Sequence, residues 1–483
     1  MSTIQVRFLI DREQRRVVFA QAGSDFVDLL FSFLILPLGR IARLLSKRSG
    51  LGSLSSLYES VERLDAKYLQ TEACRDMLLN PWSAAAELCE ALKIKGIHEL
   101  NPREFYTCSQ EDCLIQSICY YTYSSKCLCS RCGKLMDRAQ QWKKSITDDG
   151  GVFLTHTTDF IITDDLQITL PSFREGLSLF KQLQIKDSSV LEEQIIEFST
   201  KKALKLLGRS FVSKNALTEV CFPDFCVQTS GDFSLSCKED IVADEAKNDQ
   251  INLELILNKN DNKVLYAEVG DDFVNQLFSF LTFPLGSALK FLSNTTFSLG
   301  GCIQNLYSSV ESMSLDYFRL EICRNMLLTP VLPTFYRIKN QILKLEEMKS
   351  TTLKNFSCAK CFSDNRSKSC ASTKCIHGIT ETEYIEQNPK LSAKSFGAND
   401  GGFVVSARRF MVTDNLHISP LSLISAACKE TNLPISDLIR REVCLDRTRV
   451  LSLLTAMLTS KATLTDVFSP KPKPQRRSQN NYA

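Results

Sequence analysis

The stretch that decides the fold is VVFAQAGSDFVDLLFSFLILPLG, at residues 17–39. It returns as VLYAEVGDDFVNQLFSFLTFPLG at residues 264–286, an offset of 247 positions (264 − 17). Further blocks match in the same order in both halves: 58–81 with 307–330, 163–166 with 413–416, and 213–218 with 460–465. Collinear matches of this kind indicate two divergent copies of one module of about 240 residues.

Length and composition are those of an ordinary folded protein. The 483 residues are 44% apolar and 23% charged, with a formal net charge of +3. These values exclude global disorder, and the near-neutral charge gives no electrostatic argument for a polyanionic partner. The longest apolar runs, Leu29–Leu38 and Phe278–Leu285, are shorter than the ~20 residues that a membrane span needs. We therefore expect no transmembrane segment.

The chain contains 19 cysteines, which is an unusual number for this length. The N-terminal residues show neither a basic region nor a cleavage site typical of a signal peptide, so we expect an intracellular protein of the cytoplasm, the nucleus or both. In a reducing compartment, clustered thiols bind metal ions more often than they form disulfides.

Each copy is expected to open with a β-hairpin. In the first copy the apolar runs Ile4–Ile10 and Arg16–Ala20 flank a polar break, which is the pattern of two paired strands. The pattern returns at Ile251–Leu257 and Lys263–Ala267. A helix is predicted next, with Ser24 in the first copy, and Asp271 in the second, as its N-cap.

The rest of each copy is predicted to contain more helices and a second hairpin. Helices are expected at Leu54–Leu64 and Tyr68–Leu79, and the second must end before Pro81. The hairpin is expected to turn at Asp164-Asp165. Closing helices are predicted from apolar residues at helical spacing, namely Leu191, Ile195 and Phe198 in the first copy and Val450, Leu453, Leu454, Met457 and Leu458 in the second.

Strands segregated from helices indicate the α+β class. We expect two homologous modules in tandem, each with β-hairpins, amphipathic helices and a central cysteine-rich loop. The predicted limits are 1–227 for the first module, 228–250 for a polar acidic linker, 251–468 for the second module and 469–483 for a disordered basic tail.

The matched blocks resemble the plant proteins grouped as the domain of unknown function numbered 674. The resemblance covers nearly the whole chain. It implies a plant origin and a duplicated module, but no activity, ligand or partner. The family pattern also implies paired cysteines in the middle of each module, which this sequence keeps with altered spacing.

The sharpest chemical hypothesis comes from two cysteine-rich loops, at about 105–135 and 355–378. Zinc in structural sites takes four donors, usually from two closely spaced pairs. The predicted ligands of two structural zinc sites are Cys108, Cys113, Cys129 and Cys132 in the first module and Cys358, Cys361, Cys370 and Cys375 in the second.

Alternatives to this ligand assignment remain open at this point. Cys127 could replace Cys129, which would give the pair the same spacing as Cys370 and Cys375. Cys119 is spare. The cysteines could also be unligated thiols of a diverged loop, and Cys129-x2-Cys132 fits a redox motif less well because it lacks the usual strand–helix setting.

No familiar catalytic motif is present in the sequence. We therefore favour a non-enzymatic protein-interaction module with structural zinc-binding loops and an unknown protein partner. A second hypothesis is nucleic-acid binding through the basic cysteine-rich loops, in which Tyr106, Tyr120, Tyr121 and Tyr123 lie near Lys126, Arg131 and Lys134. A third is an enzyme of an unrecognised type.

Overall fold

A computed structural model describes most of the chain. The described residues are 3–45, 51–98, 104–114, 118–141, 151–155, 159–225, 251–293, 299–350, 352–358, 379–391, 401–422 and 434–469. The proposed linker at 228–250 lies outside these ranges, as does the tail from residue 470. In the part of the chain that is described, no helix has both the length and the apolar character that crossing a membrane requires.

Each half contains a five-stranded antiparallel sheet, and the strand orders of the two sheets are equivalent. The first runs β7-β6-β2-β1-β8 and the second β14-β13-β10-β9-β15. The first-half strands are β1 (Ile4–Asp11), β2 (Arg16–Ala22), β6 (Phe160–Thr163), β7 (Ile168–Thr169) and β8 (Leu191–Phe198). Their counterparts are β9 (Ile251–Asn258), β10 (Val264–Gly270), β13 (Arg409–Thr413), β14 (Ile418–Pro420) and β15 (Leu438–Leu445).

A third sheet is built from both halves, in the order β11-β12-β4-β3-β5. Its strands are β3 (Glu104–Thr107), β4 (Ile118–Thr122), β5 (Arg138–Gln141), β11 (Leu353–Cys358) and β12 (Ile379–Glu386). The central pair, β4 and β12, is parallel and places Cys119 opposite Tyr384. Strands next to both cysteine-rich loops therefore belong to one shared sheet.

Most of the described helices also occur in both halves. The first half has α1 (Ser24–Ser32), α2 (Leu38–Leu44), α3 (Leu54–Arg63), α4 (Glu72–Leu79), α5 (Glu111–Leu114), α6 (Phe173–Gln182), α7 (Thr200–Val212) and α8 (Ala216–Cys221). The second has α9 (Asp271–Thr282), α10 (Leu285–Ser293), α11 (Ile303–Ser312), α12 (Glu321–Leu328), α13 (Arg447–Thr459) and α14 (Thr463–Phe468).

The α+β class and both hairpin pairs are confirmed, but several local predictions need correction. The segment from Leu191 to Phe198 is the edge strand β8, not a helix, and pairs along its whole length with β1. The predicted N-caps Ser24 and Asp271 are the first helical residues, because the extended Gly23 and Gly270 occupy the cap positions.

The start of the predicted helix Tyr68–Leu79 also differs. Residues 66–68 form a single 3-10 turn, and the α-helix begins only at Glu72. The cause is Thr71, whose hydroxyl accepts a hydrogen bond from the N–H of Cys74 and so caps the helix there.

The two halves exchange helices. Ser60 of α3 accepts through its hydroxyl the N–H of Ile418 in the second-half sheet, at 2.8 Å. Reciprocally, Ser309 of α11 accepts the N–H of Ile168 in the first-half sheet, at 2.9 Å. Each half therefore covers its sheet partly with helices that belong to the other half.

Backbone pairing supports the same exchange. The N–H of Gln70 donates to Phe403 and that of Arg319 donates to Phe153, both at 2.9 Å, so each segment before α4 or α12 pairs with the opposite half. Pro37 and Pro284 form an antiparallel bridge at the centre, where the two halves meet.

One continuous apolar core results from this arrangement. Almost every residue in the helices α1 and α9 is buried, including polar ones such as Asp28 and Gln276, as expected for helices at the centre of a protein. Phe273, Phe278 and Phe280 are at most 1% exposed. Each buried phenylalanine stabilises the fold by roughly 1.5–3 kcal/mol relative to an exposed one.

Candidate metal centre

Four cysteines of the first half converge at one end of the shared sheet. Cys108 directly follows β3, Cys113 lies in the short helix α5, and Cys129 and Cys132 lie in the turn between β4 and β5. Their four Sγ atoms all lie within 4.8 Å of one another. The structure thus brings together the four residues that spacing selected in this half, and the group could hold a metal ion.

The turn that carries Cys129 and Cys132 is a miniature hairpin. The N–H of Cys129 donates to the carbonyl of Lys134 at 2.7 Å, and the N–H of Gly133 donates back to the carbonyl of Cys129 at 2.8 Å. Gly133 has φ +72°, a conformation that favours glycine. The tight reversal after Cys132 points both sulfurs of the Cys-x2-Cys pair to the same side.

The thiols in the cluster differ in acidity. Burial raises the pKa of Cys108 to about 11 and raises that of Cys113 as well. The pKa of Cys132 is lowered: desolvation opposes its ionisation, but the N–H of Lys134 and the thiols of Cys108 and Cys113 donate to its sulfur. A bound cation would favour the ionised form of all four sulfurs and so convert the thiols to thiolates.

The spacing of the sulfurs suits tetrahedral coordination. Zinc–sulfur bonds of about 2.3 Å place the ligand sulfurs about 3.8 Å apart. Cys108 and Cys132 are separated by 3.4 Å between their sulfurs, far longer than the ~2.05 Å of a disulfide. Four sulfur donors in this geometry match the preferences of zinc or iron and leave no open position for a substrate.

The cluster has little apolar support of its own. Cys108, Cys113, Cys127 and Cys129 form a small apolar group with Met136 that is separate from the main core. Tyr106 and Tyr120 pack against it from outside. A cluster this small stabilises a chain segment only weakly, so a cross-linking ion would contribute much of its order.

A residue from the second half clamps the cysteine turn. The side-chain amide of Gln387 donates to the carbonyl of Leu128 at 2.5 Å and to Cys127 Sγ at 3.3 Å. Its carbonyl oxygen accepts the N–H of Ser130, between Cys129 and Cys132, at 3.0 Å. Sequence reasoning missed Gln387 because the parallel pairing of β4 with β12 brings it here from a distant part of the chain.

Cys119 and Cys127 lie beside the cluster but outside it. The Cys119 thiol donates to the carbonyl of Cys113 at 3.5 Å, and Cys127 faces Gln387. The hairpin therefore brings Cys129, and not Cys127, into the group of four.

The second predicted site falls largely outside the described residues. Cys361, Cys370 and Cys375 lie in the segment 359–378, which is not described. Cys358 is the last residue of β11, where it pairs with Ile379 of β12. Its assignment as a ligand stays a prediction.

Two aspartates at matching positions of the two halves hold backbone segments together through hydrogen bonds. Asp164 accepts the N–H and the hydroxyl of Thr218, at 2.8 and 2.6 Å, and Asp414 accepts the same groups of Thr465, at 2.7 and 2.8 Å. These threonines in turn accept N–H groups of β2 and β10. The matched aspartates thus pin α8 and α14 to the sheets.

The matched arginine of α4 has a similar role. Arg75 donates to the carbonyls of Val61, Glu62 and Leu64 at the end of α3, and its Nε lies 4.0 Å from Glu72. Its main contacts therefore cap the preceding helix, and the ion pair with Glu72 is secondary.

Comparison with known proteins assigns a family. A family model described as "Protein of unknown function (DUF674)" matches residues 1–301 and 295–482. No curated protein and no solved structure matches the chain. The two matched segments follow one another and together span almost the entire sequence, in agreement with its internal duplication. The chain therefore belongs to this family of unknown function.

Proposed function

We propose that this chain is a non-enzymatic protein-interaction protein in which structural zinc orders the cysteine-rich segments. The observation that carries the zinc proposal is the convergence of four sulfurs within 4.8 Å. A second zinc ion is proposed for Cys358, Cys361, Cys370 and Cys375, by analogy between the halves. On this proposal the protein is a plant protein of the cytoplasm, the nucleus or both.

The zinc proposal is tested by metal content. Purified full-length protein should contain about two zinc ions per chain, one for each set of four thiolates. Cys113→Ser should remove one of them. Cys119→Ser is the matched control, because Cys119 is an equally buried neighbour that lies outside the group of four. Loss of zinc from both variants alike, or full zinc content in Cys113→Ser, would contradict the assignment of the first site.

The interaction proposal rests on an exposed apolar helix. No residue of α6 is buried, although its sequence is amphipathic. Phe173 is 84% exposed and Leu177, one turn later, is 42% exposed. Exposed large apolar side chains on one helix face are typical of a surface that a protein partner covers.

Paired affinity purifications test this surface. A partner retained by the wild-type protein should be lost from the double variant Phe173→Ser, Leu177→Ser. The control is Ile439→Ser, which removes another exposed apolar side chain from a different surface. Equal retention of every partner by the double variant would exclude α6 as the docking surface.

The contacts of the first loop do not favour nucleic-acid binding. Tyr121 is 0% exposed, and the Arg131 guanidinium lies over the ring of Tyr120, 5.5 Å from its centroid. Lys134 donates to the side chain of Gln110 at 2.6 Å. Rings and cations engaged in this way are not arranged to stack bases and track phosphates.

A further inference from the structure

A cavity of about 260 Å³ opens at the seam between the two halves. Trp82 and Tyr123 come from the first half, and Tyr336 comes from the second. The ring of Tyr123 lies at 61° to that of Trp82, with centroids 5.6 Å apart, and the ring of Tyr336 lies at 90°, 6.3 Å away. The rings of Tyr123 and Tyr336 therefore both lie edge-to-face with that of Trp82 and are not stacked on it.

Two carboxylates line the same cavity. Asp76 projects from α4, and Glu386, which is 9% exposed, comes from the end of β12. The Thr334 hydroxyl donates to Glu386 at 2.5 Å, and the Asn80 amide donates to Asp76 at 2.9 Å. No lysine, arginine or histidine is among the described residues that line it. The cavity is therefore lined by aromatic rings and carboxyl groups, with no basic side chain among its described lining residues.

The fold does not require these side chains. The positions that match Asp76 and Trp82 in the second half, at an offset of 249, hold Asn325 and Val331. The second half folds with an amide and an aliphatic side chain there. The carboxylate and the indole are therefore particular to the first half, where the indole also packs against the apolar core.

We infer that this cavity binds a small alkylammonium cation, either a free quaternary amine or the methylated side chain of a lysine. Aromatic walls attract such cations through the negative faces of their rings, and nearby carboxylates add charge attraction. A divalent metal ion fits less well, because it needs more oxygen ligands than two carboxylates supply. The volume lies just below the roughly 300–1,000 Å³ of drug-sized sites, which suits a compact head group.

Tryptophan fluorescence of the full chain tests the inference. The sequence has two tryptophans, and a Trp142→Phe background leaves Trp82 as the reporter. Choline and trimethyllysine are the probes, and 3,3-dimethylbutan-1-ol is the neutral analogue of choline. We expect a saturable change with at least one cation and binding about tenfold weaker for the neutral alcohol. Choline alone would indicate a free amine, and trimethyllysine alone a modified protein.

Substitutions then locate the site. Glu386→Gln and Asp76→Asn should each weaken cation binding by about tenfold; the latter installs the residue that the second half already carries. Glu346→Gln, an exposed glutamate that does not line the cavity, should leave the affinity unchanged. Absence of a saturable change with both cations, equal affinity for the neutral alcohol, or equal effects of all three substitutions would overturn the inference.

Discussion

The substitution Gly301→Ala tests the exchange of helices between the halves. Gly301 lies two residues before the start of α11, at a point where the end of α7 from the other half passes close by. A Cβ at this position would lie within 3.0 Å of backbone atoms of Ser210 and Phe211, whereas ordinary contact begins near 3.4 Å. The backbone must therefore move apart, because no side chain can rotate away.

The expected cost follows from two terms. Overpacking of a well-packed site costs about 1–3 kcal/mol, and here the rigid neighbour favours the upper part of that range. The N–H of Cys302 also donates to the carbonyl of Ser210 at 2.8 Å, and losing this bond costs about 1–2 kcal/mol. Together the free energy of unfolding should fall by about 2–5 kcal/mol, a large part of the 5–15 kcal/mol that is typical of folded proteins.

Urea denaturation followed by circular dichroism measures this change. Gly176→Ala is the matched control, because nothing lies within 4 Å of its added Cβ and the residue is inside the exposed helix α6. The control should be neutral or stabilised by up to about 1 kcal/mol. A Gly301→Ala protein within about 0.5 kcal/mol of wild type would refute the close approach of the two halves at this point.

Two further substitutions probe the buried aspartate turn and the clamp on the cysteine turn. Burial raises the pKa of Asp164 to about 6, above the ~3.9 of an unfolded chain, so its contribution to stability is complete below about pH 4 and is lost as the pH rises through 6. Between pH 4 and 7 the free energy of unfolding of the wild type should therefore fall by about 2–3 kcal/mol relative to Asp164→Asn, and parallel pH profiles would contradict this. Gln387→Ala should weaken zinc binding about tenfold, measured by competition with a chromophoric chelator, whereas the exposed Gln5→Ala should not; equal affinities would show that the clamp does not support the site.

The duplication made most of the fold predictable. The first hairpin and the apolar helix after it recur at an offset of 247, so the pattern of each of these elements is present in both copies. The error at Leu191–Phe198 has a clear cause: three apolar residues at helical spacing also fit a strand at the edge of a sheet, where neither face is fully buried. Pairing with β1, which no local pattern reveals, decides between the two.

The candidate site was predictable only in part. Cysteine spacing selected the four residues that converge, but it left Cys127 and Cys129 as alternatives. The hydrogen bond from the N–H of Met136 to the carbonyl of Cys127 is part of the hairpin that brings Cys129 to the cluster. The spacing of the cysteines in the sequence predicts neither this turn nor the contact with Gln387. The cavity at the seam was missed for the same reason, since its walls come from distant segments.

The exchange of helices also governs what one copy can do by itself. A half-length product would lack those helices of the other half that cover part of its sheet, and a second half-length product could supply their equivalents. Joining two copies in one polypeptide keeps the two halves together and fixes their ratio at one to one. It also allows the sequences of the two copies to diverge at positions such as Asp76 and Asn325. In a symmetric dimer of identical chains, both copies would have to carry the same residue.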